Sequence, residues 1–239
     1  AWCSMVANGF TLRPVAGVVG EVGMLGAAGQ GDSILLSTTI DSLTDEAVYY
    51  HASASVDGEE ILTLANTLGP LLPLEEFDDP DELRARFDAI SRPGSRPETP
   101  LAAVPATPVG LEFDDILSCE PGRELRAVKE ISPEEPYFDD HFPRKPVLPL
   151  SLLLESLLQL GQELLSSGGD EPADSRFCPT RVRKVKMRRF VEPGQKVEAS
   201  VRVEERDATA ARLSFICEVD GGRACVARAD YSAAKPEDR

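Results

Sequence analysis

The sequence predicts an α+β protein in which antiparallel strands, arranged in two related halves, wrap a buried helix. Three observations predict it: a repeated order of strands and turns, a proline-rich divider between the repeats, and one helical-length run holding eight leucines. At 239 residues, with 42% hydrophobic and 28% charged residues, the chain has the makings of one large or two smaller packed cores. A net charge of −16 argues against nucleic acid or an anionic membrane as the main partner, because the long-range field repels both.

The repeat comes first in the chain. Residues 24–66 lie on residues 187–229 without a gap at a constant offset of 163 (187 − 24), placing Gly31 on Gly194 and Val56-Asp57-Gly58 on Val219-Asp220-Gly221. Both segments read as a strand, a glycine turn, a long strand, a polar turn, another strand, and an Asp-Gly turn into a last strand. An internal duplication is expected, with a degenerate or incomplete first unit over 1–90 and a second unit over 113–239. The same offset sets Ala1 opposite Leu164, so the counterparts of earlier second-half residues lie upstream of Ala1. Two readings of that are open: a fragment of a longer chain, or a first half without a helix of its own.

Between the units, 91–112 is expected to be an extended linker. It carries Pro93, Pro97, Pro100, Pro105 and Pro108 and little that packs a core. Just before it, Asp79-Pro80 is expected to cap a short helix with Leu83, Phe87 and Ile90 on one face. The five cysteines form no CxxC pair and there are only two histidines, so no metal site is expected and the thiols read as buried in a reducing cytoplasm. His51, within a presumed strand, reads as structural. The N-terminus has no basic segment of the secretory kind. The longest apolar run, 147–165, is broken by Glu155, Gln159, Gln162 and Glu163, so no membrane insertion is expected.

Residues 151–165 are apolar around most of the helix circumference, which predicts burial. Glu155, Gln159 and Gln162 share one stripe, open to two readings: a solvated face or part of a site. In front of the helix, 136–149 set His141 among aromatics in a loop stiffened by Pro143, Pro146 and Pro149. Prolines that limit the loop's conformations suit a pre-organised site.

The stretch HFPRKPVLPLSLLLESLLQ resembles the motif of the bacterial (3R)-hydroxyacyl-[acyl carrier protein] dehydratases of the FabZ/FabA type, with His141, Phe142, Pro143, Pro146, Val147, Pro149, Leu152, Glu155 and Gln159 in register. Residues 113–140 and 182–205 are similar to the flanking strands of that family. The resemblance implies a hot-dog fold, an antiparallel sheet wrapped around a central helix, here in a double hot-dog. Two positions depart from the pattern: Arg144 and Leu150 stand where the family has glycine, and a side chain at Leu150 is expected to narrow the approach of acyl-pantetheine.

The resemblance also implies chemistry. Water is eliminated from a (3R)-hydroxyacyl thioester, with His141 as base and Glu155, half-buried and raised in pKa, as acid. The family reaction needs no cofactor of its own, since phosphopantetheine arrives with the substrate. Phe142, Pro149, Leu150, Ser151, Gln159 and Tyr137 are expected around the substrate, with the Leu150 and Ser151 amides facing the developing oxyanion. Tyr137 or Phe138 reads equally as a gate or as packing. In the family, the histidine of one hot-dog works with the acid of the other across a dimer or pseudo-dimer interface. Within this chain, Glu155 then faces a first half with no matching histidine, and His141 one with no matching acid; a complete site calls for upstream residues or for pairing of second halves between chains.

The basic run at 181–189 (Arg181, Arg183, Lys184, Lys186, Arg188, Arg189) has two readings. One is a docking surface for an acyl carrier protein or the phosphate of a CoA thioester; the other is a solvated edge strand guarded by charge. The competing functions are a non-catalytic thioester-binding or scaffolding domain of a larger synthase and a hot-dog thioesterase.

Overall fold

The computed structural model describes residues 1–92, 111–139, 141–168 and 177–233. The first half holds α1 (Trp2–Ala7), β1 (Leu12–Pro14), β2 (Val18–Met24), β3 (Ile34–Leu43), β4 (Ala47–Val56), β5 (Glu59–Pro73) and α2 (Pro80–Ser91). The second holds β6 (Asp115–Glu120), β7 (Glu124–Glu130), α3 (Leu150–Ser167), β8 (Phe177–Met187), β9 (Lys196–Arg206), β10 (Ala210–Val219) and β11 (Gly222–Ala233). Their strands join in one antiparallel sheet in the order β3-β4-β5-β2-β8-β11-β10-β9-β7-β6, with β1 paired to β5.

The repeat offset is built into this sheet. β4 and β10, like β5 and β11, begin 163 residues apart (210 − 47 and 222 − 59). Asp57, Gly58, Asp220 and Gly221 all take positive φ, as do Gly31 and Gly194, so the paired turns are made the same way. The halves meet where β2 pairs with β8: Val22 opposes Val182, and Val19 opposes Val185. Adding 163 to 22 gives 185, and subtracting it from 182 gives 19. The seam therefore maps onto itself when the halves are exchanged, as in a pseudo-two-fold dimer.

α3 fills the second half. Leu153, Leu157, Leu160, Leu164 and Leu165 are buried against Val197, Val201, Leu213 and Phe215 of the sheet. Gly161 lies mid-helix because Tyr231 approaches there, its hydroxyl donating to the Leu158 carbonyl at 3.0 Å; a Cβ at 161 would overlap that hydroxyl. The first half is covered differently. α1, Phe10, Leu74 and Leu83 form a small cluster at one end, with Trp2 and Phe87 against it. Ile34, Leu35 and Leu36 on β3 and Tyr49 on β4 remain exposed.

The expected helix at Asp79-Pro80 forms, with the Asp79 carboxylate accepting from the N–H groups of Asp81 and Glu82; Leu83 is buried and Ile90 exposed. The prolines of the expected linker lie outside the described residues. Leu111, placed in the linker by sequence, is buried in the second-half core, and Ser156 Oγ donates to its carbonyl. Cys217 and Cys225 are buried as expected, whereas Cys3 and Cys119 are exposed on a short helix and an outer strand. His51 is exposed, its Nδ1 3.0 Å from Asp41. Among the described residues, no helix is long and apolar enough to cross a membrane.

Candidate active site

A cavity of about 360 Å³ opens at the seam. The second half contributes His141, Phe142, Val147, Leu148, Pro149, Leu150, Ser151, Met187 and Phe190, and the first half contributes Arg13, Pro14, Val15 and Ala16. Four of the residues expected from sequence thus share one cavity with the expected base: Phe142, Pro149, Leu150 and Ser151 lie beside His141.

The loop sets the imidazole in one orientation. His141 Nδ1 lies 3.1 Å from the Val147 carbonyl, and the Val147 N–H donates back to the His141 carbonyl at 3.0 Å. A carbonyl only accepts, so Nδ1 carries the hydrogen and Nε2 is the basic nitrogen of the neutral ring. The ring stacks on Phe142, with centroids 4.1 Å apart. α3 begins at Leu150 after Pro149, and no side chain caps it. The first N–H groups of a helix have no partner within it, and Leu150 and Ser151, at that positive end of the dipole, both line the cavity. Leu150 lines the cavity and also packs against the second-half core.

Arg144, the other departure from the family pattern, turns away from the cavity. Its guanidinium reaches Asp79 Oδ2 at 2.6 Å and its backbone N–H donates to the Phe77 carbonyl at 3.0 Å, tying the histidine loop to the first half. Lys145 does likewise, 3.3 Å from Glu76. The Asp79 carboxyl is held below the usual carboxylate range, first by the Glu82 and Asp81 N–H groups and then by Arg144.

Three expected residues lie elsewhere. Glu155 and Gln159 do not line the cavity and are exposed, so the expected half-burial of Glu155 is not found, while Gln162 of the same stripe donates to the Phe177 carbonyl at 2.9 Å. Tyr137 packs on Phe138, with ring centroids 4.7 Å apart. Its hydroxyl is shielded without a hydrogen-bond partner, and burial, with Glu135 adding to it, pushes the phenol up to about 12. Tyr137 is not among the residues lining the cavity.

The basic run is not on an edge. β8 is internal, flanked by β2 and β11, because the seam covers the side an isolated half would expose. Arg183 pairs with Asp230, and Arg181 lies 3.7 Å from Glu21. Arg181, Lys184 and Lys186 are exposed. Arg188 and Arg189 line a second cavity of about 470 Å³ with Lys145, sharing Val15, Ala16, Met187 and Phe190 with the first.

Arg13 and Asp78 were not singled out from sequence. They form an ion pair with side chains 17% and 10% exposed, and the Arg13 guanidinium lies over the Phe142 ring. Burial pulls the Arg13 pKa down, against the pull of Asp78. The one signal in the sequence is a cation beside Pro14 in an apolar stretch.

Residues 105–229 match the FabA-like domain family. The 3-hydroxyacyl-[acyl-carrier-protein] dehydratase FabZ of Anaeromyxobacter sp. (strain Fw109-5) is 38% identical over 133 residues, 54% of this chain and 83% of that protein. The enzyme of the same name from Pectobacterium atrosepticum is 36% identical over 119 residues, 49% of this chain and 78% of that one. Among solved structures, a putative oleoyl thioesterase from Lactobacillus plantarum superposes on 98% of this chain and 83% of its own at TM-score 0.57 and 15% identity, a likeness of fold across both halves. With the histidine loop, the buried helix and the self-mapping seam in place, the chain belongs to the FabA-like family and has a tandem double hot-dog fold.

Proposed function

We propose that the chain is a hydro-lyase acting on (3R)-3-hydroxyacyl thioesters of an acyl carrier protein or CoA, in a cytoplasmic fatty acid or polyketide type synthesis. The observation that carries this reading is the His141 tautomer: Nδ1–H donates to Val147, leaving Nε2 as a base on a residue that lines the seam cavity. Nε2 takes the proton next to the thioester carbonyl, and the carbonyl oxygen gathers charge opposite the Leu150 and Ser151 amides. The C3–O bond then breaks, and the hydroxyl leaves as water with a proton from an acid. Glu155 is the acid by resemblance, yet it lies exposed and outside the His141 cavity. In this reading His141 and Glu155 serve two separate sites, each completed by a group from another segment of the assembled protein. Lys145, Arg188 and Arg189 form a cationic mouth suited to the pantetheine phosphate, while Arg181, Arg183, Lys184 and Lys186 lie along β8 as a surface for an acidic carrier.

A second reading, a thioester-binding module, is favoured by the lining of the His141 cavity, which among the described residues includes no carboxylate. Turnover of a short (3R)-hydroxyacyl thioester, presented on carrier protein and on CoA, separates the two. Dehydration that falls roughly a hundredfold or more in the double variant His141→Ala with Glu155→Gln is expected, each single substitution removing the share of its own site. Full activity in Glu155→Gln would assign the acid elsewhere. Saturable binding without turnover in the wild type would establish the module.

A further inference from the structure

Arg13 and Asp78 sit 65 residues apart in the first half, outside the family motif, yet their contacts end at the histidine loop of the second half. The Arg13 Cζ stands 4.1 Å from the centre of the Phe142 ring. That ring stacks on the His141 imidazole at 4.1 Å with 26° between planes, and Phe77 meets it edge-on at 5.3 Å. Phe142 and Phe77 are both buried, and a cation over an aromatic face is held more strongly when water is excluded. Asp78 holds the guanidinium in place, so the planar group is fixed from one side and faces the ring from another. The imidazole stacked on that ring has its Nδ1 3.1 Å from the Val147 carbonyl.

We propose that Arg13, anchored by Asp78, is a positioning residue of the His141 site. It pins the Phe142 ring, and through that ring keeps the imidazole oriented with Nδ1–H on the Val147 carbonyl and Nε2 as the base. The catalytic consequence rests on the dehydratase reading; the control of the ring does not. Lysine at 13 keeps the charge and loses the planar face, so it restores the function in part.

The test uses the full chain labelled with ¹⁵N at histidine, where two histidines give two sets of ring signals and His51→Gln assigns them. Wild-type His141 is expected to show one tautomer, protonated on Nδ1. Arg13→Met is expected to give mixed tautomers, Asp78→Asn a smaller shift in the same direction, and Arg13→Lys a partial return. In turnover, Arg13→Met lowers the His141-dependent part of kcat roughly tenfold to a hundredfold with KM little changed. If the His141 ring signals in Arg13→Met and Asp78→Asn match the wild type, Arg13 merely joins the halves, whatever happens to Tm, and the proposal is overturned. If Arg13→Met does not fold, Asp78→Asn and Arg13→Lys decide by the same signals. Where the wild type turns over neither thioester, the dehydratase reading fails while the ring signals still decide this one.

Discussion

Val56 and Val219 hold the same place in their halves. Each ends a strand just before an Asp-Gly turn whose two residues both take positive φ. Val219 is fully buried, whereas Val56 is only partly so. The same contrast runs along β3 and β9, where Ile34 is 51% exposed and its counterpart Val197 is 0% exposed. β9 has β7 beside it and α3 against its inner face, while β3 ends the sheet. Strand register and turn geometry thus persist without a covering layer, because backbone hydrogen bonds and turn residues set them. Burial requires a second layer of structure.

Substitutions can break or sharpen this comparison. Gly161→Ala is expected to have the largest effect, about 1–3 kcal/mol, since the new methyl displaces Tyr231 from a close-packed helix contact found in the second half; chemical denaturation measures it. Next comes the pair Val219→Ala and Val56→Ala. The first is expected to cost about 2 kcal/mol and the second less than half of that, from lost burial and the cavity left behind. Equal costs would mean that the two inner faces are equally covered in solution. Gly58→Ala and Gly221→Ala then test what the halves share: each is expected to cost about 1 kcal/mol, and by the same amount, because both positions take positive φ.

The smallest effect belongs to Asp79, which caps α2 and meets Arg144. The Glu82 and Asp81 N–H groups, with Arg144, hold its carboxyl below the ordinary aspartate value in the folded chain. The stabilisation is therefore full above the unfolded value and lost as pH falls through the lower, folded one. The Tm difference between wild type and Asp79→Ala is expected to be constant near neutrality and to narrow below about pH 4.

Much of the fold was legible because it is encoded locally. The paired glycine turns gave the register of the repeat, and the run of leucines marked the helix that fills the second-half core. The histidine loop was legible for the same reason: His141, Val147 and Pro149 lie within nine residues and make their contacts with one another and the helix start. What could not be read depends on long-range pairing. The charge on β8 looks like an edge strand's until β2 is laid beside it. Glu155 could be expected half-buried from its leucine neighbours, but its exposure depends on what lies across its stripe of α3. Arg13 and Asp78 are too far apart in sequence for any spacing rule to join them.

The seam between β2 and β8 has a consequence for assembly. In a two-chain hot-dog pair the interface must be self-complementary and dissociates on dilution. Here both strands belong to one polypeptide, and each meets the other at an effective concentration set by the intervening chain. The two sides are free to differ: Glu21 opposes Arg183, while Gly20 and Lys184, the positions related by the offset, carry no such pair. Closure of this seam, and the melting temperature that reports it, should accordingly be independent of protein concentration.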